Sequence, residues 1–343
     1  MKAAETNFLT LLEGKKQFII PIYQRSYSWS RKECDQLWED IQRAATDPSV
    51  AGHFIGSIVY IQEGLFVSAA IPKMLIIDGQ QRLTTLSLLL LALAQAAANT
   101  PTSGTRRDEI YESYLINKFG NGDEHYKLLL RQSDKHTLTR LIDDLDLPEP
   151  ASKHIIENYQ FFKDQIQRSG IDLNDLYTGI RKLITVEISL DRSHDNPQLI
   201  FESLNSTGLD LSQADQIRNY VLMGLEDTEQ TKLYEAYWHP MELSFDDTRD
   251  TATFDRFMRD YLTFKSSGTI PNIDEVYEKF KQYRQREPSR SISEIVVDIY
   301  RYSKHFTKLA WDCKIVCVNG QSRKMCEEAK EENPYDHSTR TDR

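Results

Sequence analysis

The stretch LIIDGQQRLTTLSLLLLAL, from Leu75 to Leu93, constrains the fold more than any other part of the chain. Its first residues read as a strand, Asp78 and Gly79 make a turn, and the leucine-rich remainder reads as a helix. The richest apolar run, Leu83 to Ala94, starts directly after Arg82 and is shorter than the roughly 18–20 residues that cross a bilayer. It is therefore expected to be a buried helix, with no membrane partner.

The segments around it alternate in type. KQFIIPIYQRSYSW begins as a short strand to Ile20, where Pro21 ends regular pairing. SRKECDQLWEDIQRAA starts a helix with Ser30 as N-cap and Glu33 as its capping-box partner, and Leu37, Trp38 and Ile41 give it an apolar face. HFIGSIVYI, LFVS and KMLIID read as strands. The expectation is a compact α/β core over residues 1–100, closed by a loop at Pro101 and Gly104. Residues 101–225 read as a helical insertion and a completing strand-helix segment, with the strand LITVEISL and the FESLN stretch; residues 226–315 read as helical. The polar residues 316–343 have no apolar periodicity and are expected to be disordered. The fold class is thus α+β.

Composition narrows the function. A chain of 343 residues with net charge -10 has no electrostatic coat for nucleic acid, although a local basic site remains open. Met1 to Thr10 lacks the pattern of a signal peptide, and the chain reads as cytoplasmic. Cys34, Cys313, Cys317 and Cys326 are too sparse for a disulfide scaffold, and Cys313 with Cys317 lacks a second pair for a metal.

Three clusters carry candidate chemistry. A strand that ends in Asp78-Gly79 and enters a helix leaves backbone N–H groups unpaired at the helix start, which suits a phosphate. Arg82 could add a charged fork, Gln80 and Gln81 could orient water, and Asp78 could hold a divalent ion or polarise the water. The same residues also suit an ordinary strand-to-helix turn, since Gln and Arg are good helix formers. The second cluster, PIYQRSYSW, gathers Tyr23, Gln24, Arg25, Tyr27 and Trp29 on one irregular segment, as binding material or as cover for the core. The third, IFESLNSTGLDLSQADQIRNYVL, puts Asp215, Arg218 and Asn219 on one helix face, after Glu202 and Asn205. Asp215 could instead only cap, and Arg218 only pair with a nearby acid.

In order and type, IPIYQRSYSW, FIGSIVY with IIDGQQRLTTL, and FESLNSTGLDLSQADQIRN resemble the N-terminal domain of the GmrSD-type modification-dependent restriction proteins over residues 5–225. The resemblance implies a ParB/sulfiredoxin-like core and a Mg-dependent nucleoside triphosphatase. It implies catalytic roles for Asp78, Gln80, Gln81 and Arg82, and nucleotide contacts from Gln24, Arg25, Gly79, Arg82 and Asn205. Tyr23, Tyr27 and Trp29 become a recognition loop, Glu202, Asp215, Arg218 and Asn219 supporting groups, and Asp78 the metal ligand. It further implies modified or foreign DNA as target and an HNH-type nuclease as partner. No histidine-rich ββα stretch is found in the sequence, so the chain is expected to be the sensor part, a truncated protein or a degenerate copy. Two other readings stand beside this one: a ParB-like DNA-binding module or nuclease without nucleotide, and a catalytically silent interaction protein.

Overall fold

The computed structural model describes residues 1–63, 71–100, 104–191, 194–205, 211–246, 252–266 and 268–318. The chain divides into two compact units, Met1–Asp210 and Leu211–Arg343.

The first unit holds β1 (Lys2–Asn7), α1 (Phe8–Leu12), β2 (Gln17–Ile19), α2 (Arg31–Thr46), β3 (His53–Glu63), β4 (Lys73–Asp78) and α3 (Gln80–Asn99). It continues with α4 (Arg107–Ile110), β5 (Leu128–Leu129), α5 (Gln132–Ile142), α6 (Lys153–Ser169), α7 (Leu173–Arg181), β6 (Leu183–Leu190) and α8 (Pro197–Asn205). Among the described residues the strands form one six-stranded sheet in the order β1-β6-β3-β4-β2-β5. The pairs β1/β6 and β3/β4 are antiparallel, whereas β3/β6, β2/β4 and β2/β5 are parallel. The α+β expectation holds.

Helix α3 is the spine of this unit. Its leucines from Leu83 to Leu93 are all at most 1% exposed, because α4, α6 and α7 pack around it. By length and composition it could cross a membrane, yet its apolar side chains are spent on the core. Thr84, Thr85 and Ser87 interrupt the leucines at little cost, since each hydroxyl donates to the carbonyl one turn back at 2.8–2.9 Å. Helix α2 starts as its sequence prescribes: Ser30 and Glu33 form a reciprocal capping box. Its apolar face, with Cys34, Leu37, Trp38 and Ile41, is buried, and the helix packs on α7.

Two strands escape a reading by pattern. β1, KAAETN, has no apolar alternation and is held at a sheet edge by six register partners on β6; β5 is only two residues long. The expected strand LFVS and residues 319–343 lie outside the described residues.

The second unit is helical over its described residues: α9 (Gln213–Leu222), α10 (Asp227–Leu233), α11 (His239–Asp246), α12 (Ala252–Lys265), α13 (Val276–Arg286) and α14 (Ile292–Val318). Trp238, Tyr234, Phe257 and Phe280 are fully buried in it.

Candidate functional site

The turn after β4 is built around two glycines. Gly79 has φ +96°, and a Cβ there would stand 2.5 Å from Ile58 Cδ1 and 3.0 Å from the Ser57 carbonyl. Only glycine lets this turn lie directly on β3. It also leaves the first turn of α3 without a side-chain cap. Arg82, in that first turn, donates to Ser57 O at 2.6 Å and to Asp78 Oδ2 at 3.0 Å. Its guanidinium lies over Gly56 (φ +97°), where a Cβ would come 3.0 Å from Nη1. The spacing of FIGS to DGQQR in the fold is thus set by an arginine that needs a bare backbone beside it.

The loop of the second cluster is fastened to the same helix. Gln81 Oε1 accepts the backbone N–H groups of Ser28 and Trp29 at 3.0 and 3.2 Å, and its Nε2 donates to Ser26 O at 3.3 Å. Gln24, also buried, donates to Ile77 O at 2.9 Å and has its own carbonyl bonded by Arg131. The Tyr27 N–H donates to Asp134 at 2.7 Å, and its hydroxyl meets Thr85 at 2.7 Å and Asn158 at 2.9 Å. Burial pushes this hydroxyl's pKa well above the ordinary tyrosine range. Asn158 also holds the Trp29 carbonyl at 2.8 Å.

These contacts leave some of the expected groups engaged and others open. The Gln81 amide, expected to orient water, is engaged by the loop backbone. Tyr23 and Tyr27 are 4% and 5% exposed, so neither offers a free ring to a ligand. Arg25 is half-buried on the loop, and Gln80 is half-buried with no side-chain hydrogen bond among the described residues. Gln80 is therefore the glutamine of the pair left to meet a solute.

Trp29 and Arg82 line one cleft of about 400 Å³ together with Lys32, Gln36, Asp40 and His53. Its walls are α2 and the start of α3, and the beginning of β3 closes it. Two donors on these residues, Trp29 Nε1 and Arg82 Nε, are buried and have no hydrogen-bond partner. A buried N–H without an acceptor costs roughly 1–3 kcal/mol, a cost these two residues carry in the fold; the Arg82 side chain as a whole keeps 26% of its surface exposed. Sequence reading missed His53 and Asp40, because HFIGS was legible only as a strand and α2 only by its cap and its apolar face.

The third cluster divides. Helix α8, carrying Glu202, packs against β4, the strand that ends in Asp78. Glu202 accepts from Gln198 at 3.1 Å; Asn205 closes the helix, and its side chain lies outside the described residues. Asp215, Arg218 and Asn219 belong to the second unit. The face expected to present them is not open: Arg218 is 4% and Asn219 2% exposed. Arg218 pairs with Asp215 at 2.8 Å and with Glu242 of α11, and Glu242 also accepts the Tyr234 hydroxyl at 2.7 Å. Burial alone would lower the Arg218 pKa, but Asp215 and Glu242 outweigh it and raise it. The partner that makes burial of this arginine tolerable comes from a helix distant in sequence.

A mixed six-stranded sheet packed with helices, with an arginine-bearing helix start beside a cleft, defines an α+β domain. Residues 8–222 match the family described as the GmrSD restriction endonuclease, N-terminal domain, and the chain belongs to that family. It is accordingly a component of a GmrSD-type restriction system. No curated protein matches the chain.

Proposed function

We propose that this chain is the nucleotide-dependent sensor of its restriction system, binding a nucleoside triphosphate with magnesium and hydrolysing it in response to modified or foreign DNA. The observation that carries the reading is Arg82, a partly exposed guanidinium on the uncapped first turn of α3 that lines one cleft together with Lys32. Phosphate oxygens would accept from these cations, and the dipole of α3 adds to the attraction. Arg82 neutralises phosphate charge, and Gln80 orients water. The single carboxylate of Asp78 is already paired with Arg82, and no group of three or more metal-binding side chains occurs among the described residues. Magnesium would be held by the other oxygen of the Asp78 carboxylate, which no hydrogen bond engages among the described residues, together with the substrate's phosphates, since it commonly binds through one or two carboxylates. Bound there, it would neutralise negative charge on the triphosphate.

DNA cleavage on this reading belongs to an HNH-type nuclease domain or subunit. The catalytically silent alternative draws on Gln81, whose amide is consumed by the loop. Calorimetry with each of the four triphosphates and magnesium, with phosphate release measured with and without modified DNA, separates the two. Binding of one triphosphate and release raised by one kind of DNA are expected; no binding of any triphosphate would sink the nucleotide reading.

A further inference from the structure

We propose that His53 is the proton acceptor of this cleft, taking the proton of the attacking water, with Asp40 as its positioning residue. The inference rests on the nucleotide reading and names the group that reading lacks.

His53 opens β3, and its backbone N–H donates to Lys182 O at 2.8 Å, which pins the residue to the sheet. Its side chain lines the cleft that Arg82 and Trp29 also line. Nε2 faces Asp40 Oδ2 at 3.4 Å. Asp40 is itself fixed on α2, by Arg43 at 2.8 Å and Gln36 at 3.3 Å. With the proton on Nε2 turned to Asp40, the lone pair of Nδ1 is left to accept. The imidazole is partly buried, 28% exposed, so it keeps contact with solvent for releasing the proton afterwards.

The other charged groups around it suit the role less. Lys32 and Arg82 are cations that attract phosphate but cannot take a proton while charged. Glu33 is engaged by Ser30; burial raises its pKa, but the bonds from the Ser30 hydroxyl and N–H outweigh this and hold it below the usual carboxylate range. Lys182, at the start of the neighbouring strand, donates its Nζ to Ala44 O at 2.7 Å. Asp40 offsets the cations by stabilising the imidazolium once it forms. Imidazole exchanges a proton most readily near neutral pH.

The step balances. A water lone pair forms the bond to the terminal phosphorus, and the bond from phosphorus to the bridging oxygen breaks. That electron pair stays on the departing diphosphate, and the water proton moves to His53 and then to solvent.

The test compares the full chain with His53→Gln, His53→Ala and Asp40→Asn. Triphosphate affinity is measured by calorimetry, and phosphate release is followed from pH 5.5 to 9 with modified DNA present. For both His53 variants the affinity should stay within about threefold, while release falls about a hundredfold or more and its acidic limb disappears. Added imidazole should restore part of the rate to His53→Ala, and Asp40→Asn should move the acidic limb. His53→Gln with the unmodified rate and pH profile overturns the inference and leaves the nucleotide site standing. Wild-type protein that binds a triphosphate without releasing phosphate does the same. Wild-type protein that binds none overturns both. Should the His53 variants fail to fold, an Asp40→Asn pH profile identical to wild type overturns the proposal.

Discussion

The Gln81 side-chain oxygen accepts the backbone N–H of Trp29 at 3.2 Å, so the helix that begins at the Asp78-Gly79 turn also fixes the loop that lines the cleft. A residue read as a water-orienting group is, by its contacts, the fastener between two motifs more than fifty residues apart. Its amide mimics a strand edge, offering an acceptor to Ser28 and Trp29 and a donor to Ser26.

Gln81→Ala removes three hydrogen bonds at a buried site. At about 0.5–1.5 kcal/mol each, stability should fall by about 1.5–4.5 kcal/mol. Urea unfolding measures the loss, and triphosphate affinity should weaken as well, because Trp29 is released. A variant as stable as wild type with only turnover reduced would return Gln81 to the chemistry.

Gly56→Ala sets a methyl 3.0 Å from the Arg82 guanidinium at φ +97°. The strain should cost about 1–3 kcal/mol. Arg82→Ala should leave the fold largely intact and weaken triphosphate binding about tenfold or more, through the loss of a charged hydrogen bond. Calorimetry and thermal melts on both variants check the pair. Unchanged affinity in Arg82→Ala would mean that the triphosphate site lies elsewhere.

In the second unit, Glu242→Gln or Asp215→Asn leaves the buried Arg218 short of a counter-charge. Breaking a buried pair in this way costs about 3–5 kcal/mol. The double change Arg218→Met with Glu242→Leu should recover much of that loss, since the desolvated charge goes with its partner. Denaturant unfolding followed by tryptophan fluorescence reads this directly, Trp238 being buried in the same unit. Full stability of the single Glu242 variant would deny the cluster any structural weight.

Lys127 gives a pH prediction. Its Nζ donates to Leu12 O and Gly14 O, both at 2.7 Å, with no carboxylate in salt-bridge range among the described residues. Burial, and then the charge of Lys16, lowers its pKa from 10.5 to about 8. The folded state therefore sheds this proton before the unfolded state does. Between pH 8 and 10.5 the unfolded chain binds more protons, so the contribution of Lys127 to stability rises with pH and is fully present above the unfolded value. Urea midpoints of wild type relative to Lys127→Met at pH 7.5 and 9.5 should show wild type gaining over that interval. A constant difference would refute the shift.

Local chemistry made much of the fold legible. Ser30 and Glu33 cap α2 because a serine hydroxyl and a glutamate three residues on find the free N–H groups in any setting. Gly79 announces a left-handed turn between a strand and a helix, and Leu83 to Ala94 announces burial, whatever the rest of the chain does. β1 could not be read in this way. KAAETN becomes a strand only because β6 offers it a ladder.

The sequence by itself determined the order of motifs, the α3 spine and the arginine on its first turn, since these depend on neighbours along the chain. Only the tertiary structure decided which polar groups remain available. Gln81 and Gln24 turn inward to backbone partners, Arg218 is claimed by Glu242, and His53 meets Asp40 beside Arg82 on one cleft. Hydrogen bonds and ion pairs reach across any sequence separation, and a side chain's identity does not disclose which partner the fold will bring to it.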